Sequence, residues 1–292
     1  RDSSTMTSSA SSTSTISNST EVNEISLAML ENLEVNAMMR LRHPRIVAFL
    51  GAGEIIDPPM PGYDVPRIGI FVMLEYAAGG DLTHRLAAAA GSIDAFPWID
   101  RIQCALDIAE GMAFIHSEGF IHRDLKSMNV LCDSNGRCMI ADLGLACLNI
   151  RPDEQDTTAQ KVDEPFAVEE DSIKTSWAGS AAWIAPEVTV ATEQQNFKRY
   201  SSYGFKADVF SYGMVMYELL TCRIPWMGSE HTFSQQIVRA VIAGERPPVS
   251  ALELENAPAG FVALMEKCWS TEASERPSFK EARVELQELL TK

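Results

Sequence analysis

The chain has 292 residues, 46% of them hydrophobic, enough for one large domain or two small ones with a packed core. Its formal net charge of −16 argues against a general binder of nucleic acid or of anionic membranes, and no apolar run reaches the length of a membrane span. Six cysteines, at 104, 132, 138, 147, 222 and 268, form no C-x-x-C pair, which points to a reduced, cytoplasmic setting without structural zinc.

The first residue is Arg1 rather than methionine, so the chain reads as a fragment or a processed product. Residues 1–22 begin with an almost unbroken serine and threonine run that cannot bury enough apolar area to offset its ordering entropy, and disorder is expected there. From Glu21, apolar residues at Leu27, Leu30, Leu33, Ala37, Met38 and Leu41 keep helical spacing until His43-Pro44 stops them. "RIVAFLGAGEI" and "RIGIFVMLEYA" read as strands, joined by the proline-rich loop "IDPPMPGYDVP". A polar turn at Gly79-Gly80-Asp81 leads into a short helix. "WIDRIQCALDIAEGMAFIHSEG" follows as a long helix, apolar on several faces and hence buried, with Gly119 as its C-cap. Residues 149–177 form a long acidic loop, expected to be functional or disordered. "DVFSYGMVMYELLT", "FSQQIVRAVIAG", "FVALMEKCW" and "SFKEARVELQELL" read as four more helices.

Between the long helix and the acidic loop lies "FIHRDLKSMNVLCDSNGRCMIADLGLA", residues 120–146, read as loop, strand, turn and strand. It carries Asp124, Lys126, Asn129 and Asp142 in an apolar setting. Phosphoryl transfer needs little covalent chemistry from a protein; it needs a positioned hydroxyl, neutralised charge and metal-bound phosphates. One carboxylate can take the hydroxyl proton. A second carboxylate and an amide oxygen can hold Mg²⁺, a hard ion that prefers oxygen. Asp124 and Asn129 share one loop, and the hairpin returns Asp142 toward them.

His122-Arg123-Asp124-Leu125 with Asn129 resembles the protein kinase catalytic loop, Asp142-Leu143-Gly144 looks like its D-F-G, and Ala185-Pro186-Glu187 matches A-P-E. The resemblance runs through "DVFSYG" and "ERPSF" and covers about residues 24–290. Four motifs in order are far more specific than any one alone. "RLRHPRIVAFLGAG" and "AAWIAPEV" are most similar to the tyrosine-kinase-like group, the Raf-like and mixed-lineage-like kinases, which mostly phosphorylate serine and threonine.

The resemblance implies an α+β, bilobal fold. Residues 23–78 would form a truncated N-lobe (regulatory helix plus two strands) and hinge, and residues 79–292 a complete, mainly helical C-lobe with an activation segment at 142–187. It implies ATP and Mg²⁺ as cofactors and a protein substrate with a Ser or Thr acceptor. Asp124 would be the base, Lys126 would touch the transferred phosphate, and Asn129 and Asp142 would hold the metal. Glu34 would be the ion-pairing glutamate of the regulatory helix. Leu74 would be the gatekeeper, Glu75 to Ala77 the hinge, Asp81 the ribose contact and Leu131 the floor of the adenine pocket. Met38, Phe49, His122 and Leu143 would stack as a regulatory spine, with ordinary core packing as the alternative. Asp208 would anchor the catalytic loop, and Glu187 with Arg276 would form a structural pair. Lys126 two residues after the base looks like the serine/threonine pattern, and Ser180 stands where a hydroxyl can meet the catalytic loop. Arg123 would grip a phosphate placed on Ser172, Thr175 or Ser176 by an upstream kinase.

Two family features are missing from the 292 residues. The first glycine is Gly51 and the first lysine is Lys126, so there is no glycine-rich loop and no strand lysine for Glu34. The expectation is that both are encoded upstream of Arg1 and that the isolated chain binds ATP poorly, with apolar surface exposed where further strands would pack. The alternative is a catalytically dead kinase-like scaffold or allosteric module. A related small-molecule kinase is disfavoured by A-P-E and the full helical lobe.

Overall fold

The computed structural model describes residues 33–57, 67–89, 92–148, 180–193, 204–231 and 233–291. The disorder expected for 1–22, the proline-rich loop centre and the long acidic loop lie outside them. The described residues form an α+β fold: a small layer of one helix and one hairpin over a larger helical layer.

The small layer begins with α1 (Leu33–Arg40), whose Ala37 and Met38, with Leu41 just beyond, are buried at helical spacing. β1 (Phe49–Asp57) and β2 (Arg67–Leu74) pair antiparallel from Phe49↔Leu74 to Asp57↔Arg67. The first strand starts four residues later than its apolar run suggests. Arg45 to Val47 pair elsewhere: Ile140 N donates to Arg45 O at 2.8 Å and Val47 N to Ile140 O at 2.9 Å. That short parallel seam ties the small layer to the large one. Leu50, Val72, Met73 and Leu74 are exposed.

In the large layer, α2 (Leu82–Ala89) precedes α3 (Trp98–Ser117), a 20-residue helix buried along most of its length. Gly119, at φ 82°, closes α3 by donating to His116 O at 3.1 Å. Two two-stranded sheets follow in one tract. β3 (Phe120–Ile121) pairs with β6 (Cys147–Leu148), and β4 (Val130–Cys132) with β5 (Cys138–Ile140), both antiparallel. β3 falls where the sequence reads as loop, and β6 just beyond the residues read as strand; two residues per strand carry no periodicity to detect. α4 (Pro186–Glu193), α5 (Lys206–Thr221), α6 (Ser234–Ile242), α7 (Ala251–Asn256), α8 (Ala259–Cys268) and α9 (Phe279–Leu290) complete the layer. α3 packs on α9 and α5, and α8 on α5. No described helix is long and apolar enough to cross a membrane.

Two buried charges hold these helices together. Arg101 on α3 is 2% exposed, and its guanidinium bonds to main-chain carbonyls. It donates to Phe96 O at 2.7 Å, Leu219 O at 3.0 Å and Leu220 O at 2.8 Å, the last two in the final turn of α5, where the helix dipole favours a cation. Arg276 is also buried and forks onto Glu187, Nη1 to Oε1 at 2.7 Å and Nη2 to Oε2 at 2.8 Å, joining α4 to the entry of α9. That entry is capped by Ser278, whose N donates to Glu281 Oε2 at 2.7 Å while Glu281 N donates to Ser278 Oγ at 3.3 Å. Ser278→Ala is expected to lower stability by about 1 kcal/mol, read by urea unfolding; an unchanged midpoint would mean the cap contributes nothing.

Candidate active site

The site rests on Asp208, in the first turn of α5 and 1% exposed. Its carboxylate accepts from His122 N at 2.8 Å and Arg123 N at 2.9 Å, and lies 2.8 Å from His116 Nε2. Burial lifts its pKa, but the hydrogen bond and charge of His116 and the His122 donor outweigh burial and leave it below the ordinary value. The buried carboxylate is therefore ionised at neutral pH and aims the main chain of the following loop. Arg123 sits at φ 70° and Asp142 at φ 57°, left-handed conformations that cost non-glycine residues on the order of 1–3 kcal/mol each. Such backbone persists only where the surroundings over-determine it. The Asp208 bonds do this for Arg123. Asp142 is held through its neighbour: Ala141 N donates to Asn129 O at 2.9 Å, and His122 Nε2 lies 3.2 Å from Ala141 O.

This framework brings four side chains together. Lys126 Nζ donates to Asp124 Oδ2 at 2.7 Å and to Ser180 Oγ at 2.9 Å. Ser180 Oγ donates to Asp124 Oδ1 at 2.9 Å, closing a triangle. Asn129 Nδ2 donates to Asp124 O at 2.8 Å and Oδ2 at 2.9 Å. With its nitrogen committed to Asp124, Asn129 has only its amide oxygen as an acceptor. Among the described residues no group of three or more His, Cys, Asp or Glu could hold a metal ion. A cation here would take Asn129 Oδ1 and the Asp142 carboxylate, with the rest of its shell from phosphate and water. That sparse, all-oxygen set fits Mg²⁺ and does not fit zinc.

The remaining predicted residues fall around this core. Leu74 ends β2, and Glu75 N donates to Ala48 O at 2.9 Å, so Glu75 to Ala77 leave the sheet toward α2. Asp81 bridges Leu131 on β4, but its carboxylate also accepts from His84 N at 2.8 Å and lies 2.6 Å from His84 Nδ1. It thus caps the first turn of α2. Leu143 and Met38 are buried in the main core, Phe49 packs against that core, and His122 is fully buried. Glu34 lies on α1, with its side chain outside the described residues. Ser172, Thr175 and Ser176 also lie outside them.

Sequence reasoning missed three groups. Glu218 on α5 is 1% exposed and links two loops: Ser127 Oγ donates to its Oε1 at 2.6 Å and Trp183 Nε1 to its Oε2 at 2.9 Å. Ser127 lies between Lys126 and Asn129, and its hydroxyl is 2.7 Å from Thr83 Oγ1. Asp107 on α3, fully buried, accepts from Arg137 Nε at 2.8 Å and Cys138 N at 2.9 Å, and pins the hairpin that returns Asp142. Arg101 is the third. Each is a charged residue among mostly apolar, buried helix positions, and that mismatch was the available signal.

The chain matches the family model described as protein tyrosine and serine/threonine kinase over residues 14–286. It is 34% identical over 261 residues to the probable serine/threonine-protein kinase drkD of Dictyostelium discoideum, covering 88% of this chain and 16% of that protein. It is 31% identical over 260 residues to serine/threonine-protein kinase 12 of Arabidopsis thaliana, covering 88% of this chain and 47% of the relative. It is also 30% identical over 259 residues to the dual specificity protein kinase pyk3 of Dictyostelium discoideum, covering 89% and 16%. The chain thus spans less than half the length of each of these relatives.

Proposed function

The chain belongs to the protein tyrosine and serine/threonine kinase family, and we propose that its protein transfers the γ-phosphoryl group of Mg-ATP to serine or threonine hydroxyls of protein substrates. The observation that carries this reading is the triangle of Asp124, Lys126 and Ser180. Asp124 takes the place of the hydroxyl's proton acceptor. Its Oδ1 reaches the hydroxyl of Ser180, so a carboxylate oxygen in this position can accept from an aliphatic alcohol. Lys126, bonded to that carboxylate, carries the positive charge that meets the transferred phosphoryl group. Asn129 and Asp142 are the metal-holding pair; bound Mg²⁺ supplies charge neutralisation at the phosphates. Glu75 to Ala77 present main chain to adenine, Leu131 lies beneath it, and Asp81 reaches ribose while capping α2. Glu34 is the partner for a strand lysine. Residues 23–78 serve as the nucleotide lobe and 79–292 as the substrate lobe. Phosphorylation of Ser172, Thr175 or Ser176 by an upstream kinase engages Arg123. Six free thiols and the need for ATP support a cytoplasmic location.

The test uses the full-length protein with γ-labelled ATP, Mg²⁺ and a mixed peptide array. Label on serine or threonine, lost on chelation, is expected. Label confined to tyrosine would overturn the acceptor class. No transfer, together with no thermal shift on adding Mg-ATP, would leave the scaffold reading in its place.

A further inference from the structure

Three of the six thiols, those of Cys104, Cys132 and Cys138, gather beneath the hairpin of β4 and β5, and all three are buried. Cys132 and Cys138 are direct partners in the antiparallel register. Their main-chain groups bond elsewhere. Cys132 N donates to Gly80 O at 2.7 Å, and Gly79 N to Cys132 O at 2.9 Å. Cys138 N donates to Asp107 Oδ2 at 2.9 Å, while the neighbouring rung is Asp133 N to Arg137 O at 2.9 Å. The two cysteines therefore form a non-hydrogen-bonded pair, the type whose Cα atoms lie about 4.5 Å apart with both side chains on one face. Disulfides span Cα separations of about 4.4–6.8 Å, so this pair can close with little backbone movement.

The surroundings favour oxidation chemistry. The neighbouring Cys104 and Cys132 thiols, with burial, hold the Cys138 pKa up. The Cys138 thiol beside it is the largest influence on Cys132 and lowers its pKa; burial opposes, Arg85 adds to the lowering, and the result is about 7. Arg85 Nη1 donates to Gly136 O at 2.7 Å and lies 3.6 Å from Cys104 Sγ. The Arg85 side chain is 26% exposed, so the thiols lie one side chain below solvent. A cation and a second thiol beside a cysteine favour its thiolate, the reactive form. Gly79 lies against this pair: a Cβ there would meet Cys132 Cβ at 2.9 Å and Asp133 O at 2.6 Å. The dithiol thus backs directly onto the turn between β2 and α2.

We propose that Cys132 and Cys138 are a redox-active dithiol that hydroperoxides convert to an intramolecular disulfide. The Cys132 thiolate attacks a peroxide oxygen; the S–O bond forms, the O–O bond breaks, and hydroxide or alkoxide leaves with a proton. Cys138 sulfur then attacks the Cys132 sulfenic acid; the S–S bond forms, and its proton leaves with the departing hydroxyl as water. With hydrogen peroxide, two thiols lose two electrons and one peroxide becomes two waters. Nothing in the phosphotransfer reading uses these sulfurs.

The experiment exposes the reduced full-length protein to hydrogen peroxide, alkylates remaining thiols and maps the digest by mass spectrometry. The expected product has lost two hydrogens, carries a peptide joining Cys132 to Cys138, and returns to the thiol form with dithiothreitol. Cys104→Ser should still form it. Cys138→Ser should instead leave Cys132 as a sulfenic acid trapped by dimedone. Arg85→Gln should slow the reaction roughly fivefold, through a smaller thiolate fraction. The half-buried Cys147 and Cys222 serve as internal references. If Cys132 stays fully alkylatable after both have been oxidised, or if the link found is Cys104 to Cys138, the proposal is overturned.

Discussion

Asp124→Asn is expected to lower phosphoryl transfer by about a thousandfold while leaving the domain folded. The fold should survive because the neighbours can re-pair. Lys126 and Asn129 both donate to Oδ2, and an asparagine oxygen turned their way still accepts from both. Its amide nitrogen then faces Ser180, whose hydroxyl can reverse and accept, since a hydroxyl is donor and acceptor at once. The expected loss of stability is therefore only about 1 kcal/mol. Chemistry should not survive, because an amide cannot take the proton from the attacking hydroxyl. The loss belongs in kcat, with the ATP KM held within roughly threefold, because Asp124 is assigned to the transition state and not to nucleotide binding. Turnover within tenfold of the parent would remove Asp124 from the role of base.

The site was legible because its chemistry is local. Asp124, Lys126 and Asn129 lie within one turn-rich stretch, so their order in the sequence already puts them in reach of each other. Most helices were legible for a related reason: α3, α5, α8 and α9 repeat apolar residues at 3.6 spacing for two turns or more. Two helices were missed although signals existed. α4 opens on Pro186 with Glu187 in its first turn, and α7 opens on the capping box of Ser250 and Glu253. The start of β1 was misplaced because Arg45 to Val47 are as strand-like as Phe49. Only tertiary pairing with Ile140 separates them. The supports of the catalytic loop stayed hidden for a stronger reason. Ser127 meets Glu218 across 91 positions, and Arg101 meets Leu219 across 118. No local pattern encodes such a contact.

Those hidden supports converge on α5, which carries one buried carboxylate near each end. The two respond to pH in opposite directions. Asp208 is held below its ordinary value, so its stabilisation is present above the unfolded pKa of 3.8 and is lost as pH falls through its lower folded pKa. Glu218 is pushed up, from 4.5 to about 7; burial dominates, and the bonds from Ser127 and Trp183 only partly offset it. Between those two values the native state holds one more proton than the unfolded state. Stability from this residue is thus full below the unfolded pKa and lost as pH rises through about 7. The shift corresponds to a cost on the order of 3 kcal/mol above that range.

Glu218→Gln isolates this effect. Its oxygen can accept from Trp183 Nε1, and its nitrogen can donate to Ser127 Oγ, so the shape and both bonds persist without a charge. Urea unfolding of the variant and the parent should agree within about 1 kcal/mol at pH 5. At pH 8 the variant should be more stable by about 3 kcal/mol, since it never ionises in the core. Every other titrating group is shared by the two proteins, so its contribution drops out of the difference. Parallel stability curves from pH 5 to pH 8 would show that Glu218 does not change charge in that window. A variant less stable at both pH values would show instead that the ionised carboxylate itself holds Ser127 and Trp183 in place.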